Sequence, residues 1–269
     1  MFLPIAVLLL SGASAGFLSG LLGIGGGLLV VAALSLALPA LGVPSAEVMH
    51  VSVATSMATI VLTLAASAAA HIRRGTVVWS SWIWLAPGMV IGGIAGAHLA
   101  QLLSALALRW GITAFCAVTA WRMAFGRKAA ESAHGTGGAP SSPWLLPAGA
   151  GIGAISAMVG IGGGSMTVPL LMSLGVRPIQ AVSTSAVCGL AIAISSALSY
   201  ALSVHTPPQA LPWGSVGYLY LPAAAIAAAG SMALAPVGAR AAHALPSAAL
   251  KRVFALFLLV VGALIAAGG

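Results

Sequence analysis

Gly160-Ile161-Gly162-Gly163-Gly164 and its counterpart Gly23-Ile24-Gly25-Gly26-Gly27 decide how this chain folds. Each stretch interrupts a long apolar segment. Glycine in a helix interior costs about 1 kcal/mol relative to alanine, so three in a row predict a break or a sharp bend. Such a break, repeated in both halves of a very hydrophobic chain, points to a membrane transporter with a central site.

Composition sets the class. Of the 269 residues 61% are apolar and only 4% charged, far below the roughly 25% charged of soluble domains. Apolar runs near 20 residues, the length that spans a bilayer core, recur along the chain. Period-two alternation of polar and apolar residues is missing, which argues against a β-barrel. The net charge of +8 comes from Lys and Arg lying between apolar spans, where they set topology. No basic face tracks phosphates, so nucleic acid is not an expected partner. Cys116 and Cys188 stand apart in apolar runs with no CxxC and no nearby His, so neither a disulfide, a metal nor a cofactor is expected. Met1 to Ala15 imitates a signal peptide but lacks a basic start. Gly12 and Ala13 match Gly149 and Ala150 of the second copy, and the stretch is therefore read as the first membrane segment.

The two halves align block by block. Gly16, Ser19, Gly23 and Ile24 match Gly153, Ser156, Gly160 and Ile161; Leu41-Gly42-Val43 matches Leu174-Gly175-Val176; Ala54-Thr55-Ser56 matches Ser183-Thr184-Ser185. Residues 1–126 are expected to form a first repeat, 127–143 a polar cytoplasmic linker, and 144–269 a second repeat.

Charge decides how the repeats are related. If each glycine-broken segment crossed the membrane, the basic residues would divide evenly between its sides. If each is instead a hairpin returning to its own side, Arg73, Arg74, Arg122, Arg127, Lys128, Arg177, Arg240, Lys251 and Arg252 share one side and only Arg109 lies opposite. The positive-inside rule favours the second arrangement. The expected fold is an all-α polytopic membrane protein of two inverted repeats, each a re-entrant hairpin plus three transmembrane helices. That makes about eight hydrophobic regions and ten helical segments, with both termini periplasmic if the membrane is a bacterial inner membrane. Trp79, Trp82, Trp84, Trp121 and Trp144 on one face, and Trp110, Trp213, Tyr218 and Tyr220 toward the other, read as aromatic belts.

Few residues can carry chemistry. The helices after the glycines begin with unpaired amides and a positive dipole end, so Gly25, Gly26, Gly27, Gly162, Gly163, Gly164 and Ser165 are candidates to bind an anion. Thr55, Ser56, Thr184 and Ser185 lie on the order of 10 Å into their helices and can donate hydroxyls to it; they can equally bond a carbonyl one turn back. Glu47 is placed to cap a helix. His50, His71 and Arg73 are candidates for coupling or gating.

In this order the motifs resemble the TauE/SafE (TSUP) family of sulfite and organosulfonate exporters. The likeness rests on both glycine blocks, Pro169, Ala54-Thr55-Ser56, His71-Ile72-Arg73-Arg74-Gly75-Thr76-Val77 before a Trp, and Leu250-Lys251-Arg252-Val253-Phe254-Ala255-Leu256-Phe257. Ala32 departs from it, standing where Pro169 stands in the second copy. The resemblance implies inner-membrane export of small sulfur-containing anions, with the lipid bilayer and a small anionic substrate as partners and no enzymatic activity. A passive anion channel is the alternative within membrane transport. A rhomboid-like protease would need a nucleophile with a base; Ser19, Ser165 and the histidines are available, but no Gly-x-Ser-Gly context appears and no His is placed at an equivalent depth in a matching segment.

Overall fold

A computed structural model describes residues 2–22, 26–125, 141–203, 211–244 and 247–267. It is almost wholly helical: α1 (Phe2–Leu22), α2 (Gly27–Ala37), α3 (Val48–Arg73), α4 (Trp79–Leu102), α5 (Ala105–Phe125), α6 (Leu145–Val159), α7 (Gly164–Ser173), α8 (Pro178–Ala201), α9 (Leu221–Ala244) and α10 (Ser247–Ala267). A short hairpin, β1 (Ser215–Val216) and β2 (Leu219–Tyr220), joins α8 to α9. Helices satisfy their own backbone groups, which is what lipid demands of a spanning segment. Among the described residues α3, α4 and α8 are long and apolar enough to cross a membrane. By contrast α2 and α7, at 11 and 10 residues, are about 15 Å long, roughly half a bilayer core.

Side-chain contacts define two ends. At the first, His50 at the start of α3 meets the Leu103 carbonyl after α4, and Gln101 of α4 accepts from Ser203 after α8. At the second, His71 at the end of α3 meets Ser183 at the start of α8, and Trp84 of α4 donates to Ser141 before α6. These are the Glu47 end and the Arg73 end. The equivalent helices α3 and α8 therefore run antiparallel, which makes the repeats inverted.

Glycines fix the packing between halves. A Cβ on Gly88, Gly92 or Gly96 of α4 would strike the backbone at Leu146, Ala150 and Ala154 of α6 in turn. On α1, Gly12 and Gly16 meet Ala227 and Ser231 of α9 in the same way. Both pairs run parallel, and each joins the first helix of one repeat to the fourth of the other. Small residues let backbones approach where lipid provides no hydrophobic drive for helix association. Because α1 runs with α9, it starts at the Glu47 end; α2 returns there through a 3-10 turn, Pro39–Leu41, and the turn before α3. The first glycine-broken pair thus enters and leaves on one side. The α6–α7 pair does the same from the Arg73 end.

The core lies where α1, α2, α3 and α8 meet, with Val31, Leu34, Val53, Met57 and Tyr200 fully enclosed. Trp79, Trp110, Trp121, Trp144 and Trp213 are exposed, as aromatic belts require. Tyr218 is not part of a belt. It is only 5% exposed because its hairpin turns it inward onto His50.

Candidate functional site

The two breaks meet at Ser56. Its hydroxyl lies 3.0 Å from both the Gly27 and Gly160 carbonyls, sharing one hydrogen between them. A Cβ on Gly27 would collide with the Gly160 oxygen. Glycine is needed here because two backbones touch. Gly23, Ile24 and Gly25 lie outside the described residues.

The second break carries the donors. Gly160 (φ 81°) ends α6 and Gly163 (φ 73°) caps α7, both in the left-handed region. The amides of Gly160 and Ile161 fold back onto the Ser156 carbonyl, and those of Met166 and Thr167 bond the Gly163 carbonyl. Between them the Gly162 and Gly163 amides have no backbone acceptor among the described residues. Gly164 and Ser165 open α7, where helix geometry leaves the amide without a partner. The Ser156 and Ser165 hydroxyl oxygens are buried and, among the described residues, also without a partner. Ser156, 0% exposed, has its Oγ 3.3 Å from where a Cβ on Gly163 would sit. Ile60, Leu64, Ile152 and Ile192 surround these glycines. Unsatisfied buried donors are costly; gathered at a positive helix end inside an apolar wall, these are the kind of groups that helix N-termini offer to anions.

A latch flanks the cradle at each end. The Thr184 hydroxyl accepts the Val78 amide at 2.9 Å, and the Thr55 hydroxyl accepts the Tyr220 amide at 3.0 Å. Each tethers the residue just before the fourth helix of the other repeat. Gly75 and Gly217 both take positive φ, 64° and 55°. The next amides, Thr76 and Tyr218, bond the carbonyls of His71 and Tyr200 near the ends of α3 and α8. The loop 75–78 and the hairpin 217–220 are thus counterparts.

The remaining candidates lie near these latches. Ser183 bonds His71 Nδ1 at 2.9 Å, Thr76 Oγ1 at 2.7 Å and the Ile179 carbonyl; this Ser–His pair is fully buried at Ser183. Arg73 is exposed at the same end. Glu47 does not cap α3: its side chain makes no capping bond and is buried 3.9 Å from His50 Nδ1. Burial, then the Glu47 carboxylate, pushes the Tyr218 phenol above its ordinary value. Ser185 is buried beside Thr184. No histidine bonds Ser165 among the described residues, so a nucleophile–base pair is not assembled there. No group of residues that could hold a metal is found among them either.

Two inverted sets of helices around a pair of touching breaks form the architecture of a membrane transporter. The comparisons narrow the class. Residues 8–265 match the model of the family described as sulfite exporter TauE/SafE, and the chain belongs to that family. It is 37% identical over 267 residues to a "Probable membrane transporter protein" of Haemophilus influenzae, covering 97% of each chain. No solved structure matches it significantly.

Proposed function

We propose that this protein exports small sulfur-containing anions, such as sulfite or an organosulfonate, by alternating access, with the anionic group bound at the second glycine break. The observation that carries the reading is the set of unpartnered donors there: the amides of Gly162 through Ser165 and the hydroxyls of Ser156 and Ser165. They offer an oxyanion charge-assisted hydrogen bonds without a buried cation. Family membership supports the substrate class. Ser56, bonded to the Gly27 and Gly160 carbonyls, ties the cradle to the first repeat. Ser185 and the latched Thr55 and Thr184 frame it. The Arg73 end, rich in basic residues, faces the cytoplasm under the positive-inside rule, and both termini face the periplasm.

The latches suit alternating access. Each closes one end, and both consist of bonds that a small shift of α4 or α9 would break. Counterflow of labelled anion into proteoliposomes tests the function. Sulfite or sulfoacetate, but not an uncharged analogue, is expected to drive saturable exchange, which separates a carrier from a passive channel. Absence of counterflow with sulfite, sulfoacetate, taurine and sulfate would contradict the proposal.

A further inference from the structure

We infer that Glu47 and His50 form a single-proton site that controls the hairpin closing the Glu47 end. Glu47 is one of two acidic side chains in the chain, and it is 5% exposed. A carboxylate enclosed in a membrane protein is expensive unless it has a partner and a task. Its partner is His50, whose Nε2 lies 3.0 Å from the Leu103 carbonyl and so carries a hydrogen. The other ring nitrogen, Nδ1, has no hydrogen bond and faces Glu47 Oε2 at 3.9 Å. With one proton on either Oε2 or Nδ1 the pair is neutral overall. Once that proton leaves, a buried carboxylate faces the lone pair of a neutral ring, and water must reach it.

The hairpin packs against this pair. The Tyr218 ring packs on His50 with centroids 5.7 Å apart. Its amide bonds the Tyr200 carbonyl, and two residues on the Tyr220 amide bonds Thr55. Loss of the proton therefore favours lifting the hairpin, and its return favours closure. Of the elements packed on α3, the hairpin supplies the titratable groups Tyr218 and Tyr220, α5 supplies Arg109, Cys116 and, at its far end, Arg122, and α8 supplies Cys188 and Tyr200. Of these Arg109 and Arg122 are charged, and Arg122 lies at the Arg73 end. α2 and α6 carry no titratable side chain, nor does Leu221–Ala235 of α9. The Tyr218 ring packs on the His50 ring.

Amide exchange of the full-length protein in nanodiscs, with no anion present, tests the inference. With rising pH, exchange of the segment 214–220 should gain a slope of up to about tenfold per pH unit beyond the intrinsic base-catalysed increase, as one released proton requires. The loop 75–78 should follow the intrinsic rate alone. Glu47→Gln, and Glu47→Leu as a second variant, should abolish the extra slope. A wild-type hairpin that follows the intrinsic rate, or a Glu47→Gln protein that keeps the extra slope, would overturn it. A second arm rests on the transport reading: counterflow of sulfoacetate should depend on pH at the Glu47 side in the wild type and lose that dependence in Glu47→Gln. If no anion is exchanged at all, the substrate reading fails, while the exchange data still decide the proton site.

Discussion

Ser156 is the residue on which the anion reading turns. Its hydroxyl is buried with no partner among the described residues, so removing it deletes no hydrogen bond seen there. Ser156→Ala is expected to fold normally and to bind anion about 10- to 100-fold more weakly, since a hydrogen bond to a charged group is worth about 1.5–3 kcal/mol. Titration calorimetry on the purified protein measures it; unchanged affinity would remove Ser156 from the site. Gly163→Ala should behave differently. Its φ of 73° costs a residue with a Cβ about 1–2 kcal/mol, and that Cβ would sit 2.7 Å from Ile192 Cδ1. Both thermal stability and anion affinity should fall. The glycines announce themselves in the sequence because no other residue is so unsuited to a helix interior. Ser156 does not: it aligns with Ser19, but a serine in an apolar helix ordinarily bonds its own backbone, and only the folded chain shows that this one does not.

At the scale of elements, the latches make a prediction with two opposite halves. Thr184→Val strips the acceptor from the buried Val78 amide, at a cost of about 1–3 kcal/mol, and Thr55→Val strips it from the part-buried Tyr220 amide, which should cost less. Thr184→Val should loosen the Arg73 end and raise the labelling of a cysteine placed at Thr76. Thr55→Val should loosen the Glu47 end and raise labelling at Ser215. If both variants change accessibility at the same end, the latches are not gates. The repeat alignment singles out Thr55 and Thr184, because matched hydroxyls in apolar helices are conspicuous. It cannot supply their partners. The loop before Gly75 is short while the connection before Gly217 is long, so the two counterparts fall out of register. The same connection explains why Tyr218 reads as an interfacial aromatic and proves to be buried: the hairpin that turns it inward has no signal of its own in a short stretch of turn residues.

At the scale of the molecule, two close-packed helix pairs tie the repeats together, and α4–α6 is the cleaner test. Gly92→Leu would drive a side chain into the Ala150 backbone and should prevent a monodisperse protein from being purified, whereas Gly111→Leu, with open space around it, should not. Inversion is legible from charge alone: nine of ten basic residues fall on one side only if the chain turns back at the glycines. Periodicity could not have shown it, because spanning helices are apolar toward both lipid and protein and carry no distinct apolar stripe. The orientation has its own check. A cysteine replacing Trp213, 94% exposed, should react with an impermeant reagent from outside intact cells, and one replacing Arg74 only after permeabilisation.

The central claim is that an anion sits at the second break. Anomalous diffraction from the protein bound to a bromoalkyl sulfonate tests it most directly. The account expects the sulfonate within hydrogen-bonding distance of the Gly163 and Gly164 amides and Ser156 Oγ. A sulfonate found only elsewhere would contradict it, for example in the cavity of about 480 Å³ that Val90, Ile94, Ile194 and Leu198 line between α4 and α8.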